Sequence, residues 1–354
     1  MNERKELTFK NADAYLVFDS DMRFYLTGQR TSFGCVVLTR GKKFYISDSR
    51  YETALREALP DYEIIIVKKD EFYTALRDIL NNCKALRAGF EDDVISYINF
   101  TELKKELGKT VKLVKSSKEY ADLRAVKTQK EIETITHALK ITQNAYEIGI
   151  SKLRAGVTER EIAAVLIYEM IKSGADDYAF PPIVSFGANT AKPHHAPDDT
   201  PLKTGDAVMI DMGAKYRGYC ADFTRTVFYG EPNPKLKEIY GIVLDAQTLA
   251  LNSMKAGISA IEADSFAREY IKGKNYDKEF GHGSGHGLGV KIHDEPNLAP
   301  KSKSKLLKNM VVTVEPGIYI PDLGGVRIED LAVITKNGAI NLTTTKKNLT
   351  ILKT

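Results

Sequence analysis

Short apolar runs alternate with amphipathic stretches through the first third of the chain. Tyr15–Phe18, Cys35–Leu38 and Phe44–Ile46 read as strands, the last two forming a hairpin around Arg40-Gly41-Lys42. A helix follows over about Arg50–Leu59. Then come strand Glu63–Val67, helix Phe72–Leu80, strand Lys84–Gly89, helix Ile95–Leu107 and strand Val111–Leu113. This alternation predicts an α/β domain over residues 1–122. The acidic run Glu91-Asp92-Asp93 reads as a helix start, where negative charge suits the macrodipole. The domain holds no cluster of histidine, cysteine or paired carboxylates, so it reads as structural, shaping a partner surface or a substrate rim.

The pattern changes near residue 122. A long helical period begins and runs over about Thr128–Lys152, opening a second domain predicted over residues 123–354. Within it the chain resembles itself. Arg154-Ala-Gly-Val-Thr-Glu-Arg-Glu161 is echoed by Lys255-Ala-Gly-Ile-Ser-Ala-Ile-Glu262, and the two glycines lie 101 residues apart. Each copy has a glycine able to end one helix and a Thr or Ser cap that starts the next. Each is followed by a second helix and later by an apolar hairpin. The expected architecture is therefore α/β plus α+β, with a duplicated helix–helix–hairpin unit in the second domain. Capping boxes are common, so the hairpins must decide whether the echo is more than chance.

The first hairpin spans residues 206–228, with its turn near Tyr216-Arg217-Gly218. Asp211 and Asp222 are almost equidistant from that turn, so antiparallel pairing is expected to set them nearly opposite each other. Aspartate is a poor strand former, and like charges across a ladder destabilise it. A divalent cation would offset both costs. The second hairpin runs from Met310 through Pro321-Asp-Leu-Gly-Gly325 to Thr335, and Glu315 and Glu329 flank its turn. Asp211 and Glu315 are 104 residues apart and Asp222 and Glu329 are 107 apart, close to the spacing of the helix caps. Two acidic pairs at corresponding positions of two repeats are a poor match to chance.

Between the hairpins lies the glycine-rich segment Gly281–Pro296, which holds His282, His286 and His293, half of the six histidines. Another pair, His194-His195, precedes the first hairpin. Histidines clustered beside acidic hairpins point to ligation or catalysis. His137, on a helix without such company, reads as structural, and Cys220 as packing. Four carboxylates and an imidazole suit two hard or borderline cations such as Mn, Co, Fe or Zn, and no thiolate demands Zn. Two such ions support hydrolysis of an amide, ester or phosphate.

Composition narrows the setting. A chain of 354 residues, 43% hydrophobic and 28% charged, is long enough for two ordinary cores. Its formal net charge is only +4, and the densest cationic stretch, Lys301–Lys308, is broken by Ser and Leu, so it reads as a solvated loop and not as a nucleic-acid patch. Three cysteines, odd in number and widely spaced, argue against a disulfide framework and for a reducing compartment. The N-terminal stretch Met1–Asp13 is charged, without the apolar core of a signal peptide, and no apolar run reaches a membrane span. A cytoplasmic location is expected.

The order Asp211, Asp222, His286, Glu315, Glu329 resembles that of the methionine aminopeptidase/prolidase/aminopeptidase P superfamily, with its pita-bread catalytic domain. Ile210–Thr226, Gly281–Asp294, Thr313–Tyr319 and Gly324–Asp330 carry the likeness. Phe24–Gly28 and Ile46–Tyr51 resemble the creatinase/prolidase N-terminal domain. The resemblance implies a metallo-exopeptidase with two divalent ions, manganese favoured, and peptide substrates with proline second. It implies that Asp222 and Glu329 bridge the ions, that Asp211 completes one site and His286 with Glu315 the other, and that Glu315 is the general base. His194 and His293 would contact substrate near the reacting bond. His282 and Arg327 match positions near the site in aminopeptidase P, Phe180 would line the pocket for the residue before proline, and Tyr319 would stand behind the ligands. A homodimer is expected from relatives. Some prolidases carry an arginine four residues after the histidine corresponding to His293, able to pair with a dipeptide's carboxylate. Here that position is Asn297, which favours an Xaa-Pro aminopeptidase over the alternative, an Xaa-Pro dipeptidase (prolidase). The full ligand set disfavours a non-enzymatic peptide-binding module on the same fold, and also metal-free creatinase-like chemistry.

Overall fold

The computed structural model describes residues 7–354, so the first six residues of the charged N-terminal stretch lie outside the described ones. The chain divides into two compact units after Arg124. Among the described residues no helix is long and apolar enough to cross a membrane.

The first unit is built on a six-stranded mixed sheet, ordered 63–66, 43–47, 35–39, 14–17, 87–90, 112–115. Its middle strands, Ala14–Val17 and Cys35–Thr39, are buried on both faces, which is why they appear in sequence as unbroken apolar runs. Helix Phe72–Asn82 packs Phe72, Leu76, Ile79 and Leu80 into the core along one face. Two helices were not legible from periodicity: Ser20–Thr27 and Ser117–Ala125. The first is held by an Asp19 side-chain cap, a Gly28 left-handed stop at φ 75°, and Arg23, whose guanidinium donates to the Thr31 and Gly34 carbonyls. Polar anchoring of this kind leaves no apolar stripe to read.

The acidic run of this unit needs correction. Glu91–Asp93 does not begin the helix that follows, which starts at Tyr97 behind a Ser96 cap. Glu91 is instead buried and accepts the Phe18 and Asp19 backbone N–H groups, at 2.6 and 3.3 Å, ahead of helix Ser20–Thr27. Its charge does serve a helix start, but one brought near by tertiary structure.

In the second unit the repeat is visible in the backbone. Helices Gln129–Ser151 and Glu159–Lys172 precede strands Ile183–Phe186, Ala207–Met212 and Phe223–Tyr229. Helices Pro234–Ser253 and Ala260–Gly273 precede strands Gly285–Gly287, Val311–Val314 and Asp330–Ile334. In each set the last strand pairs antiparallel with the middle one, and the middle one with the first. The glycines behave alike. Gly156 N–H donates to Leu202 O at 2.9 Å, and Gly257 N–H to Leu306 O at 2.8 Å. Isolated bridges Thr158↔Pro201 and Ser259↔Lys305 repeat the match. The recurrent Gly-x-Thr/Ser therefore does more than cap a helix: it also fixes the approach to the following hairpin.

The two hairpins are stitched together. Thr226 Oγ1 donates to Arg327 O at 3.0 Å, and Glu329 N–H donates to Thr224 O at 3.2 Å. Beneath this seam Arg225, buried, donates to the carbonyls of Thr224, Glu329, Thr345 and Lys346 and to Asp330 Oδ1 at 2.8 Å. Asp330 Oδ2 accepts from Gln247, Asn341 and Lys347. A buried ion pair stripped of one partner leaves an uncompensated charge, so Arg225→Met is expected to lose about 3–5 kcal/mol of unfolding free energy. The exposed Arg160–Asp199 pair offers the control: Arg160→Met is expected to cost under about 1 kcal/mol. Urea titration of both variants measures the contrast, and equal losses would remove this role from Arg225.

Candidate metal centre

Both hairpins are interrupted where their acids sit. In the first, Ala207–Met212 pairs with Phe223–Tyr229, and beyond a break Ala214–Tyr216 pairs with Tyr219–Cys220. In the second, Val311–Val314 pairs with Asp330–Ile334, and beyond a break Gly317–Ile320 pairs with Gly324–Arg327. Asp222, Glu315 and Glu329 fall in the breaks, and Asp211 lies two residues before its own, at Gly213. The register places Asp211 opposite Thr224, so Asp211 and Asp222, expected from the sequence to lie nearly opposite each other, are diagonal neighbours. Period-two alternation still gives Asp222 and Thr224 the same face. Glycines permit the close packing around the breaks. A Cβ on Gly213 would meet Ala221 O at 1.9 Å, and one on Gly285 would meet Thr313 O at 2.1 Å.

Asp211, Asp222 and Glu329, all buried, bring ligand oxygens within 4.8 Å of one another. His286 Nε2 lies 3.5 Å from Asp222 Oδ2 and 3.4 Å from Glu315 Oε1. Its Nδ1 faces Gly287 O at 3.1 Å, so Nδ1 carries the hydrogen and Nε2 is left to ligate. The remaining donors hold one oxygen of each acid and leave another. Arg327 Nη2 donates to Asp211 Oδ2 at 2.6 Å, Thr224 Oγ1 to Glu329 Oε2 at 2.7 Å, and Thr313 Oγ1 to Glu315 Oε1 at 3.1 Å. Asp211 Oδ1 and Glu329 Oε1 are buried with no hydrogen-bond partner. Buried acceptors without donors are costly, and hard oxygens around one imidazole suit divalent cations. The donor set therefore fits a metal.

Electrostatics agree with crowding. Burial, then the Glu329, Asp211 and Glu315 charges, push the Asp222 carboxyl well above the usual carboxylate range, against the pull of Arg327. Burial, then Glu315 and Asp211, raise Glu329 likewise, and burial raises Glu315. His282, His286 and His293 are all lowered, chiefly by burial.

The other residues singled out from sequence fall around this group. His282 Nε2 meets Tyr319 OH at 2.9 Å, and Arg327 Nη1 donates to the same oxygen at 2.8 Å. The His293 ring is 4.4 Å from that of His286. His194 is exposed, and its charge acts on both His282 and His293. The Phe180 ring would be 3.1 Å from a Cβ on Gly213, two residues past Asp211. His137 stacks near Tyr216, with centroids 4.3 Å apart, and Cys220 is buried with Sγ 3.7 Å from Val290 O. Thr224 and Thr313, which hold Glu329 and Glu315, lie outside the set of site residues read from the sequence. A polar residue two positions before or after an acid on an apolar strand is the signal that could have found the threonines.

Residues 133–336 match metallopeptidase family M24, and residues 2–126 match the creatinase/prolidase N-terminal domain. The chain belongs to metallopeptidase family M24. This M24 protein is 39% identical over 358 residues to an Xaa-Pro dipeptidase of Pyrococcus horikoshii, covering 99% of each chain. Among solved structures it resembles an Xaa-Pro dipeptidase from Bacillus anthracis, with a TM-score of 0.92, 38% identity and coverage of 96% of this chain and 95% of that one. It also resembles an X-Pro aminopeptidase from Thermotoga maritima, with a TM-score of 0.88, 36% identity and coverage of 96% and 98%. The fold is the pita-bread fold behind a creatinase/prolidase N-terminal domain, and the protein is a metallo-exopeptidase.

The raised acids make stability pH-dependent. A carboxyl whose folded pKa lies above its unfolded one holds extra protons in the folded state, so its contribution to stability falls as pH rises. The lowered histidines work in the opposite sense, but only below about pH 6.5. From the ordinary carboxylate range of about pH 4 upward, the contribution of these acids to the Tm of the metal-free protein is therefore expected to fall with rising pH. Saturating divalent cation should remove or reverse that slope, because ligation requires the deprotonated acids. Thermal melts with and without chelator test this. An identical slope for metal-free wild type and Asp222→Asn would show that Asp222 does not titrate there.

Proposed function

We propose that this M24 enzyme is an Xaa-Pro dipeptidase, hydrolysing the bond between an N-terminal residue and a C-terminal proline. The observation that carries the reading is end-to-end similarity to Xaa-Pro dipeptidases combined with the five-donor centre. It displaces the aminopeptidase preference drawn from Asn297. That residue is exposed on strand Asp294–Leu298, opposite His286, and its neutrality removes only one way of holding a dipeptide's carboxylate. Asn297 and the Thermotoga likeness keep Xaa-Pro aminopeptidase as the second reading.

Asp211, Asp222, His286, Glu315 and Glu329 would hold two divalent cations, manganese favoured, with Asp222 and Glu329 shared between them. When bound, the ions supply Lewis-acid activation of water and of the scissile carbonyl. Glu315, steadied by the Thr313 hydroxyl, accepts the proton of the attacking water. His293 and His194 hydrogen-bond the substrate around the reacting bond. Phe180 bounds the pocket of the residue before proline. A bond to proline has no N–H to grip, so recognition falls on the carbonyl and the free amine.

The discriminating measurement is kcat/KM for an X-Pro dipeptide against the same peptide extended by one residue, with manganese or cobalt present. Preference for the dipeptide is expected, and a clear preference for the tripeptide would replace this reading with the aminopeptidase. Glu315→Gln is expected to reduce turnover by about 10²–10⁴-fold. Metal content is measured in the same sample, and near-normal turnover with metal bound would remove Glu315 as the base.

A further inference from the structure

Of the adjacent histidines, the proposed chemistry uses only His194. His195 points the other way, into the protein. It is buried, and its Nε2 lies 2.6 Å from Glu159 Oε2. Glu159, the first residue of helix Glu159–Lys172, is fully buried. Its carboxylate receives three further donors: Phe186 N–H at 2.8 Å, Asn189 Nδ2 at 3.0 Å and Asp198 N–H at 3.1 Å. One carboxylate thus grips a loop where it leaves strand Ile183–Phe186, at its far end, and at His195 in between. With three N–H groups aimed at its oxygens the carboxyl serves as an acceptor, and His195 Nε2 is placed to donate the fourth hydrogen bond.

The rest of the loop is tied elsewhere. Thr190 Oγ1 donates to Gly187 O at 2.6 Å and accepts Gly325 N–H at 2.8 Å, on the strand that bears Arg327. Residues 193–195 have one side-chain anchor among these contacts, the Glu159–His195 bond. Residues 192–195 form a turn closed by His195 N–H donating to Lys192 O at 3.1 Å, in which His195 is buried while His194 is exposed. His194 there lies near enough to His282 and His293 to help lower both.

We propose that Glu159 and His195 are positioning residues, a buried pair that holds the 187–198 loop so that His194 projects toward the substrate. This rests on the reading above in which His194 contacts substrate. Glu159, His195 and Asp198 lie close enough to suggest a cation site. The Glu159 oxygens, however, already accept from all four donors named, so a cation would compete with every one of them.

A double-substitution cycle tests the proposal. His194→Ala and His195→Ala are each expected to lower kcat/KM by about 10- to 100-fold, as misplacement of a substrate-contacting group does. Metal content should not change. The double variant should be no worse than His194→Ala alone, because His195 acts only through its neighbour. His195→Gln, whose carboxamide still donates toward Glu159, should recover most of the loss. Independent, multiplying costs would overturn the proposal, and so would unaltered kcat/KM in His195→Ala. Should His195→Ala fail to fold, Glu159→Gln takes its place in the cycle. NMR of the histidine rings in the full chain gives a second readout without substrate. The His194 resonance should hold its position in His195→Gln and move or broaden in His195→Ala, and an unmoved resonance overturns the positioning role. If the wild type cleaves no X-Pro peptide, the functional reading falls and the NMR comparison alone decides the positioning.

Discussion

Three carboxylates from two different hairpins meet in a volume walled by buried strands, with a fourth at its margin beside an imidazole. Left alone they repel, and burial makes each charge harder to carry. The surrounding structure is organised to make that repulsion bearable. Arg327 neutralises part of it through Asp211, threonine hydroxyls hold one oxygen of Glu329 and one of Glu315, and two buried oxygens stay open toward the centre. A rigid frame is needed because acids that could swing apart would do so. The cross-hairpin threonine contacts and the Arg225–Asp330 pair supply it.

The duplicated scaffold explains where these restraints come from. In both halves a glycine and a hydroxyl cap lock the second helix to the approach of a hairpin. In both halves a buried acid on that helix then fixes a histidine-bearing loop. Glu159 does this for residues 186–198, and Asp264 accepts Ser284 N–H while its partner Arg268 donates to His282 O. Placement of the histidines is thus tied to the same helices that place the hairpins.

Much of this was legible in the sequence because it depends on short-range pattern. Strands buried on both faces, such as Cys35–Thr39, announce themselves as apolar runs, and the long helix Gln129–Ser151 announces itself by its period and its Thr128–Glu131 capping box. The acidic pairs were visible from their symmetry about each turn. Register was less so: the ladder centres its turn between Arg217 and Gly218, which sets Asp222 diagonal to Asp211, and sequence symmetry alone does not fix a turn to within one residue. Contacts between distant segments were invisible. Glu91 looked like the start of its own helix and proved to bind the backbone ahead of helix Ser20–Thr27. Nothing in the segment Arg154–Glu161 marks Glu159 as the acid buried beneath a loop that begins 27 residues later.

The repeat also bears on ancestry. A single helix–helix–hairpin unit pairing with a copy of itself could present only identical acids from each side, because symmetry forces both surfaces to match. Joining two copies in one chain lifts that restriction. Here one hairpin contributes the short side chains Asp211 and Asp222, the other the longer Glu315 and Glu329, and the imidazole of His286 comes from the second half alone. A lopsided centre of this kind distinguishes its two sides, so a peptide, which also has unlike ends, can meet it in one direction only.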